Sequence, residues 1–256
     1  MKSLKAAAAV LALLCSLAPA LAAQQPQVLV SAAASLTDVL TGLAPQAEQA
    51  IGARLLFNFG ASGALRRQIE EGAPVDVFFS ASSLDVDKLL AAGLLVARSR
   101  TDLLSNRVVL IGGPGAQPVD STEALKALIA GAGLLAVGNP DTVPAGQYAM
   151  QALEAYGMSA AVKSKLVLGG NVREVLQYVQ SGSAPLGIVF LTDVLSAPRG
   201  SVQQLFVFPQ AATQPILYPV AVVSASPNKE AAERYVRFLQ GDIARAAFRE
   251  AGFILR

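Results

Sequence analysis

V-L-V-S-A-A-A-S-L-T-D-V-L, residues Val28–Leu40, contains the repeating unit from which the rest of this chain is built. Val28–Ser31 is a short apolar run that reads as a strand, and small residues follow it. Ser35 then opens a helical pattern that sets Leu36, Val39, Leu40 and Leu43 on one face. Ser35 and Asp38 have the S-x-x-D spacing of a capping box, and Pro45 predicts a bent or shortened helix.

Three further junctions repeat the pattern: F-G-A-S-G-A-L (Phe59–Leu65), V-P-A-G-Q-Y (Val143–Tyr148) and G-G-N-V-R-E-V (Gly169–Val175). Each places a small or neutral residue at a helix start directly after a strand or turn. A helix start leaves its first backbone N–H groups unpaired, and its dipole makes that end partly positive. Four such ends aimed at one point form an anion socket without a charged side chain. The candidate site residues are therefore Ser35, Ser62, Ala145 and Val172, the last two through main-chain N–H groups only.

Working outward, strands are predicted at 55–59, 75–80, 107–111, 134–137, 165–168, 186–190, 205–208 and 218–223. Helices start at Ser62, Ser83, Ser121, Pro144 and Val172, with more after Asn228. This alternation predicts an α/β protein with two lobes, each a mainly parallel sheet flanked by helices. In such sheets ligands lie beyond the carboxyl ends of the strands, here in the interlobe cleft. No linker divides the lobes, so the chain is expected to cross twice. Residues 23–105 form the first part of lobe 1, 106–217 form lobe 2, and 218–256 return to lobe 1. Ser35 and Ser62 then face Ala145 and Val172 across the cleft.

Lys2 and Lys5, the apolar run Ala6–Leu17 and Ala20-Leu21-Ala22 read as an export signal, residues 1–22, cleaved near Ala22. Cys15 raises a lipoprotein alternative, but bulky Leu14 precedes it inside the apolar run. Removing the signal takes two lysines from 20 basic residues, against 18 acidic ones, and removes the single cysteine. The remaining chain is formally neutral, which gives no reason to expect a nucleic-acid partner.

The chain has no histidine, which excludes a Ser–His–Asp triad and the common zinc sites. Gly60-Ala61-Ser62-Gly63 is too small for a dinucleotide or phosphate loop. No enzyme, cofactor or bare metal ion is expected. Glu70-Glu71 and Asp85 with Asp87 read as solvated helix faces. Arg66, Arg67 and Arg173 either grip an anion or span a lobe interface, and Asp38, Asp141 and Glu174 lie near helix starts. Taken singly, Ser35 and Ser62 each read as an ordinary N-cap. A serine hydrolase with lysine or arginine as partner is the alternative from another class.

At these residues the chain resembles the molybdate-binding (ModA) proteins of bacterial ABC importers, a family of type II periplasmic binding proteins. The resemblance runs through A-A-A-S-L-T (Ala32–Thr37), F-G-A-S-G-A-L-R-R-Q-I (Phe59–Ile69) and G-A-P-V-D-V-F (Gly72–Phe78). It continues in L-A-V-G-N-P-D-T-V-P-A-G-Q-Y-A (Leu135–Ala149), N-V-R-E-V-L (Asn171–Leu176), A-P-L-G-I-V-F (Ala184–Phe190) and Y-P-V-A-V-V (Tyr218–Val223). It implies a monomeric periplasmic protein that binds molybdate or tungstate between its lobes. The ligand contacts would be the Ser35 and Ser62 hydroxyls and the Ala145 and Val172 amides. The implied partners are a membrane permease and its ATPase. The family commonly carries a tyrosine at the position of Phe190, so one donor is missing here or is supplied by Thr192 or water. Another oxyanion or a small organic anion is the alternative within the same class.

Overall fold

The computed structural model describes residues 25–256; the expected export signal and Cys15 lie outside them. The first sheet contains β1 (Gln27–Ala33), β2 (Arg54–Gly60), β3 (Val77–Phe79), β4 (Thr101–Ser105), β10 (Tyr218–Val222) and β11 (Ile254–Leu255). Their order is β11-β4-β10-β3-β1-β2. The second contains β5 (Val108–Gly112), β6 (Leu135–Gly138), β7 (Leu166–Gly169), β8 (Leu186–Phe190) and β9 (Gln203–Val207), in the order β7-β6-β8-β5-β9.

β1 pairs in parallel with both β2 and β3, while β10 is antiparallel to β3 and β4. In the second sheet β6 is parallel to β7 and β8, while β5 is antiparallel to β8 and β9. The parallel strands expected from strand–helix alternation thus share each sheet with reversed ones. Besides the two-residue β11, the reversed strands are β5 and β10, each the first laid down after the chain passes from one sheet to the other. A strand entered from across the cleft starts at the sheet end nearest the cleft, so it runs opposite to its neighbours.

The helices are α1 (Thr37–Ile51), α2 (Ser62–Glu70), α3 (Ser83–Ala91), α4 (Thr122–Gly131), α5 (Pro144–Ala155), α6 (Ser159–Val162), α7 (Val172–Gln180), α8 (Leu191–Ser196), α9 (Lys229–Leu239) and α10 (Asp242–Glu250). α1 buries Leu40, Leu43, Ala47 and Ile51, a stripe at helical spacing, and packs against α9 and α10. It runs through Pro45 without being shortened and ends at Gly52, which has φ +66°. Pro45 and Thr41, whose carbonyl loses its donor, are both exposed, so the interruption lies on the solvent side of the helix.

Ser35 does not form the predicted capping box. It sits inside a 3₁₀ turn, Ala34–Leu36, and no side-chain cap bond is made there. β4, β11, α6 and α8 were not anticipated from periodicity; all are six residues or shorter.

Candidate ligand-binding site

The 3₁₀ turn before α1 and the starts of α2, α5 and α7 face one small cavity between the sheets. Ser35, Ser62, Ala145 and Val172 all line it, with Gly60, Ala61, Ala81, Val143, Pro144 and Phe190. Ser62 is fully buried, and Ser35, Ala145 and Val172 nearly so.

The backbone is arranged so that particular N–H groups remain for a guest. In α7 the Asn171 side chain accepts from Arg173 N at 2.9 Å and Glu174 N at 3.1 Å, which leaves the amide of Val172. In α5 the carbonyl of Val143 accepts from Gly146 N and Gln147 N at 2.9 and 3.1 Å, which leaves Ala145. In α2 the carbonyl of Ala61 takes the N–H groups of Ala64 and Leu65. Among the described residues, no partner satisfies the N–H of Ser62, Ala145 or Val172.

The serines are not caps. Ala61, not Ser62, is the geometric N-cap of α2, and Ser62 Oγ instead accepts from Ala81 N at 2.9 Å. Ser35 Oγ lies 3.0 Å from the hydroxyl of Tyr218. The bland reading of each serine as a helix cap is therefore overturned, because each oxygen is bonded away from its own helix.

Two bonds join the lobes beside these residues. Gly63 N donates to Thr142 O at 3.0 Å, and a Cβ on Gly63 would lie 2.8 Å from that oxygen. Arg173 Nη2 donates to Asp38 at 2.6 Å. Gly63 follows Ser62 and Arg173 follows Val172, so the interlobe contacts adjoin the site itself.

The bacterial extracellular solute-binding protein family matches residues 28–254. The molybdate-binding protein ModA of Haemophilus influenzae is 36% identical over 235 residues, covering 90% of this chain and 91% of that one. The chain belongs to the ModA family of solute-binding proteins. Two solved structures are similar throughout. The periplasmic molybdate-binding protein of Azotobacter vinelandii has a TM-score of 0.79 and 26% identity, covering 90% of this chain and 99% of that one. A substrate-binding domain from Clostridium difficile, assigned to a molybdenum ABC transporter, has a TM-score of 0.67 and 32% identity, covering 89% and 98%.

In this ModA-family chain Phe190 lines the cavity with an apolar ring and offers no donor. Thr192 does not take its place. It lies outside the cavity lining, and its Oγ1 accepts from Asn106 Nδ2 at 2.9 Å.

Arg66 and Arg173 hold carboxylates rather than the cavity. Arg66 pairs with Glu70 and, at 3.0 Å, with Asp85, which is only 5% exposed; the reading of Asp85 as a solvated residue is corrected. Burial raises the Asp85 carboxyl above the usual carboxylate range, and the bond from Arg66 opposes that. Arg173 also places Nε 3.1 Å from Asp193, a fully buried carboxylate. Burial pushes Asp193 up to about 6 despite the attraction of Arg173. Glu174 accepts from Gly170 N, and Asp141 N donates to Asn139.

Asn106 and Tyr218 were missed as site residues. Tyr218 read as the start of a strand, although a tyrosine in a wholly buried strand needs a partner for its hydroxyl. Asn106 is the middle of a polar triplet, Ser105-Asn106-Arg107, between the apolar runs L-L and V-V-L-I, and that interruption was the available signal.

Proposed function

We propose that this protein is the solute-binding component of a molybdate or tungstate ABC importer, working outside the cytoplasmic membrane and passing its ligand to a permease and ATPase. The single observation that carries this reading is the convergence of Ser35, Ser62, Ala145 and Val172 on one cavity of uncharged donors. Molybdate and tungstate are tetrahedral dianions without a proton at neutral pH, so a cavity that only donates suits them. Each charge-assisted bond contributes roughly 1.5–3 kcal/mol, so several offset the loss of a hydroxyl at Phe190.

The lobe limits we propose are 23–105 with 218–256, and 106–217, after removal of residues 1–22. The lobes close over the anion, and the permease releases it by favouring the open form. The protein acts as a monomer, without a cofactor and without catalysis. Among the described residues no cluster of His, Cys, Asp or Glu suits a metal ion, and no helix is long and apolar enough to cross a membrane.

Titration calorimetry with molybdate, tungstate, sulfate and phosphate tests the reading. Molybdate and tungstate are expected to bind one per chain and more tightly than the other two. Tighter binding of sulfate or phosphate overturns the assignment.

A further inference from the structure

Behind the cavity lies a chain of hydrogen bonds whose direction can be worked out atom by atom. Arg107 N donates to Asn106 Oδ1 at 2.9 Å, which fixes the orientation of that amide: its oxygen faces the backbone and its nitrogen faces inward. Asn106 Nδ2 carries two protons and can only donate. One goes to Thr192 Oγ1 at 2.9 Å and the other to Tyr218 Oη at 3.1 Å.

The Tyr218 hydroxyl is thereby an acceptor toward Asn106, and its own proton must go elsewhere. Its remaining partner is Ser35 Oγ at 3.0 Å. Tyr218 is completely buried, and burial holds its hydroxyl well above the usual phenol range, so the proton stays in place as a donor. Ser35 Oγ then accepts from Tyr218, and the Ser35 proton is left for a partner other than the tyrosine; Ser35 lines the small cavity and also a wider one beside α1.

We propose that Asn106 and Tyr218, neither of which lines the cavity, are positioning residues that hold Ser35 as a donor to the ligand and so exclude protonated oxyanions. The Asn106-to-Tyr218-to-Ser35 chain has one polarity from end to end. On the opposite wall Ala81 N does the same for Ser62, because a backbone N–H can only donate and the Ser62 proton is left for the cavity. Each hydroxyl thus has one of its two lone pairs occupied from behind and its proton left over, which biases it toward donating into the cavity. A tetrahedral anion that carries a proton finds neither hydroxyl turned to accept it, and an unmet buried donor is costly. This inference rests on the proposed binding of an oxyanion in this cavity and names how the site chooses among such ions.

Asn106 precedes β5 and Tyr218 opens β10, so both lie where the chain passes between the sheets. The polarity of the site is therefore set by the residues that join the lobes.

The test uses Tyr218→Phe and Asn106→Ala in the otherwise intact protein, with affinities for molybdate, sulfate and phosphate measured at pH 7. Molybdate and sulfate carry no proton there, whereas phosphate carries at least one. In Tyr218→Phe, Ser35 is free to turn and accept. Molybdate and sulfate are expected to weaken together by about tenfold, while phosphate holds or tightens, so that the molybdate-to-phosphate preference narrows at least tenfold. Asn106→Ala keeps the tyrosine but frees its direction, and the same narrowing is expected. It keeps the inference testable should Tyr218→Phe fold poorly. A general disturbance of packing weakens all three anions alike, and that outcome, or no change in the ratios, overturns the inference while leaving the proposed function standing. A wild-type protein that binds none of these anions overturns both.

Discussion

Gly63 shows how much of this site depends on the absence of a side chain. Its N–H donates across the cleft to Thr142 O, and an added Cβ would meet that backbone oxygen at 2.8 Å. Neither lobe contains this conflict by itself; it arises only where α2 meets the loop before α5. Alanine also favours a helix by up to about 1 kcal/mol over glycine. Gly63→Ala is therefore expected to leave the ligand-free protein as stable as before, or slightly more so. Ligand affinity should fall at least tenfold, because the closed arrangement is obstructed. Thermal melting without ligand, paired with calorimetry, checks both halves, and equal losses in the two would contradict an interlobe origin.

The strand-to-helix junction is the element that makes the site, and Gly146 shows its limits. A Cβ there would lie 1.9 Å from Gly138 O, where the first turn of α5 crosses the end of β6. Both backbones belong to the same sheet-and-helix layer, so opening the cleft gives no relief. Gly146→Ala is expected to destabilise the ligand-free protein by about 1–3 kcal/mol, measured by chemical denaturation, in contrast to Gly63→Ala. These junctions were legible in the sequence because three independent signals coincide: an apolar run ends, small residues follow, and a helical period begins. The start of α7 at Val172 and both limits of Leu186–Phe190 match the prediction for that reason. β4 and β11 were not legible. T-D-L-L-S has no clear alternation, and two residues of β11 make no period at all; both exist because β10 and β4 offer them edges to pair with. At the site, the four positions were readable as helix starts, but the partners of their oxygens were not. Ser35 meets Tyr218 across 183 positions of sequence, and no local pattern carries such a contact.

At the scale of the whole molecule, stability and closure meet at Arg173. It reaches from α7 to Asp38 on α1 and also touches the buried Asp193. The Asp38 side chain is 60% exposed, so that interlobe pair contributes only about 0–1 kcal/mol. Asp193 is a different case. Burial raises its carboxyl to about 6, above the ordinary value near 4 in the unfolded chain. Between those values the folded form holds a proton that the unfolded form has lost. Its contribution is therefore full below about pH 4, declines as pH rises to about 6, and is flat beyond. The free energy of unfolding, compared with that of Asp193→Asn at pH 4.5 and 6.5, should fall more steeply in the wild type. Equal slopes would mean that Asp193 does not retain its proton.

β10 lies between β3 and β4 in the first sheet, yet it is formed from residues 218–222, near the end of the chain. A polypeptide emerging from its amino end cannot assemble this sheet in order. β1 to β3 and β4 stay two separate strips until Tyr218–Val222 arrives between them. The second sheet, drawn wholly from residues 108–207, can form earlier. Assembly of the half that carries both serines thus waits for the last part of synthesis, and a chain stopped before Tyr218 would lack the keystone of that half.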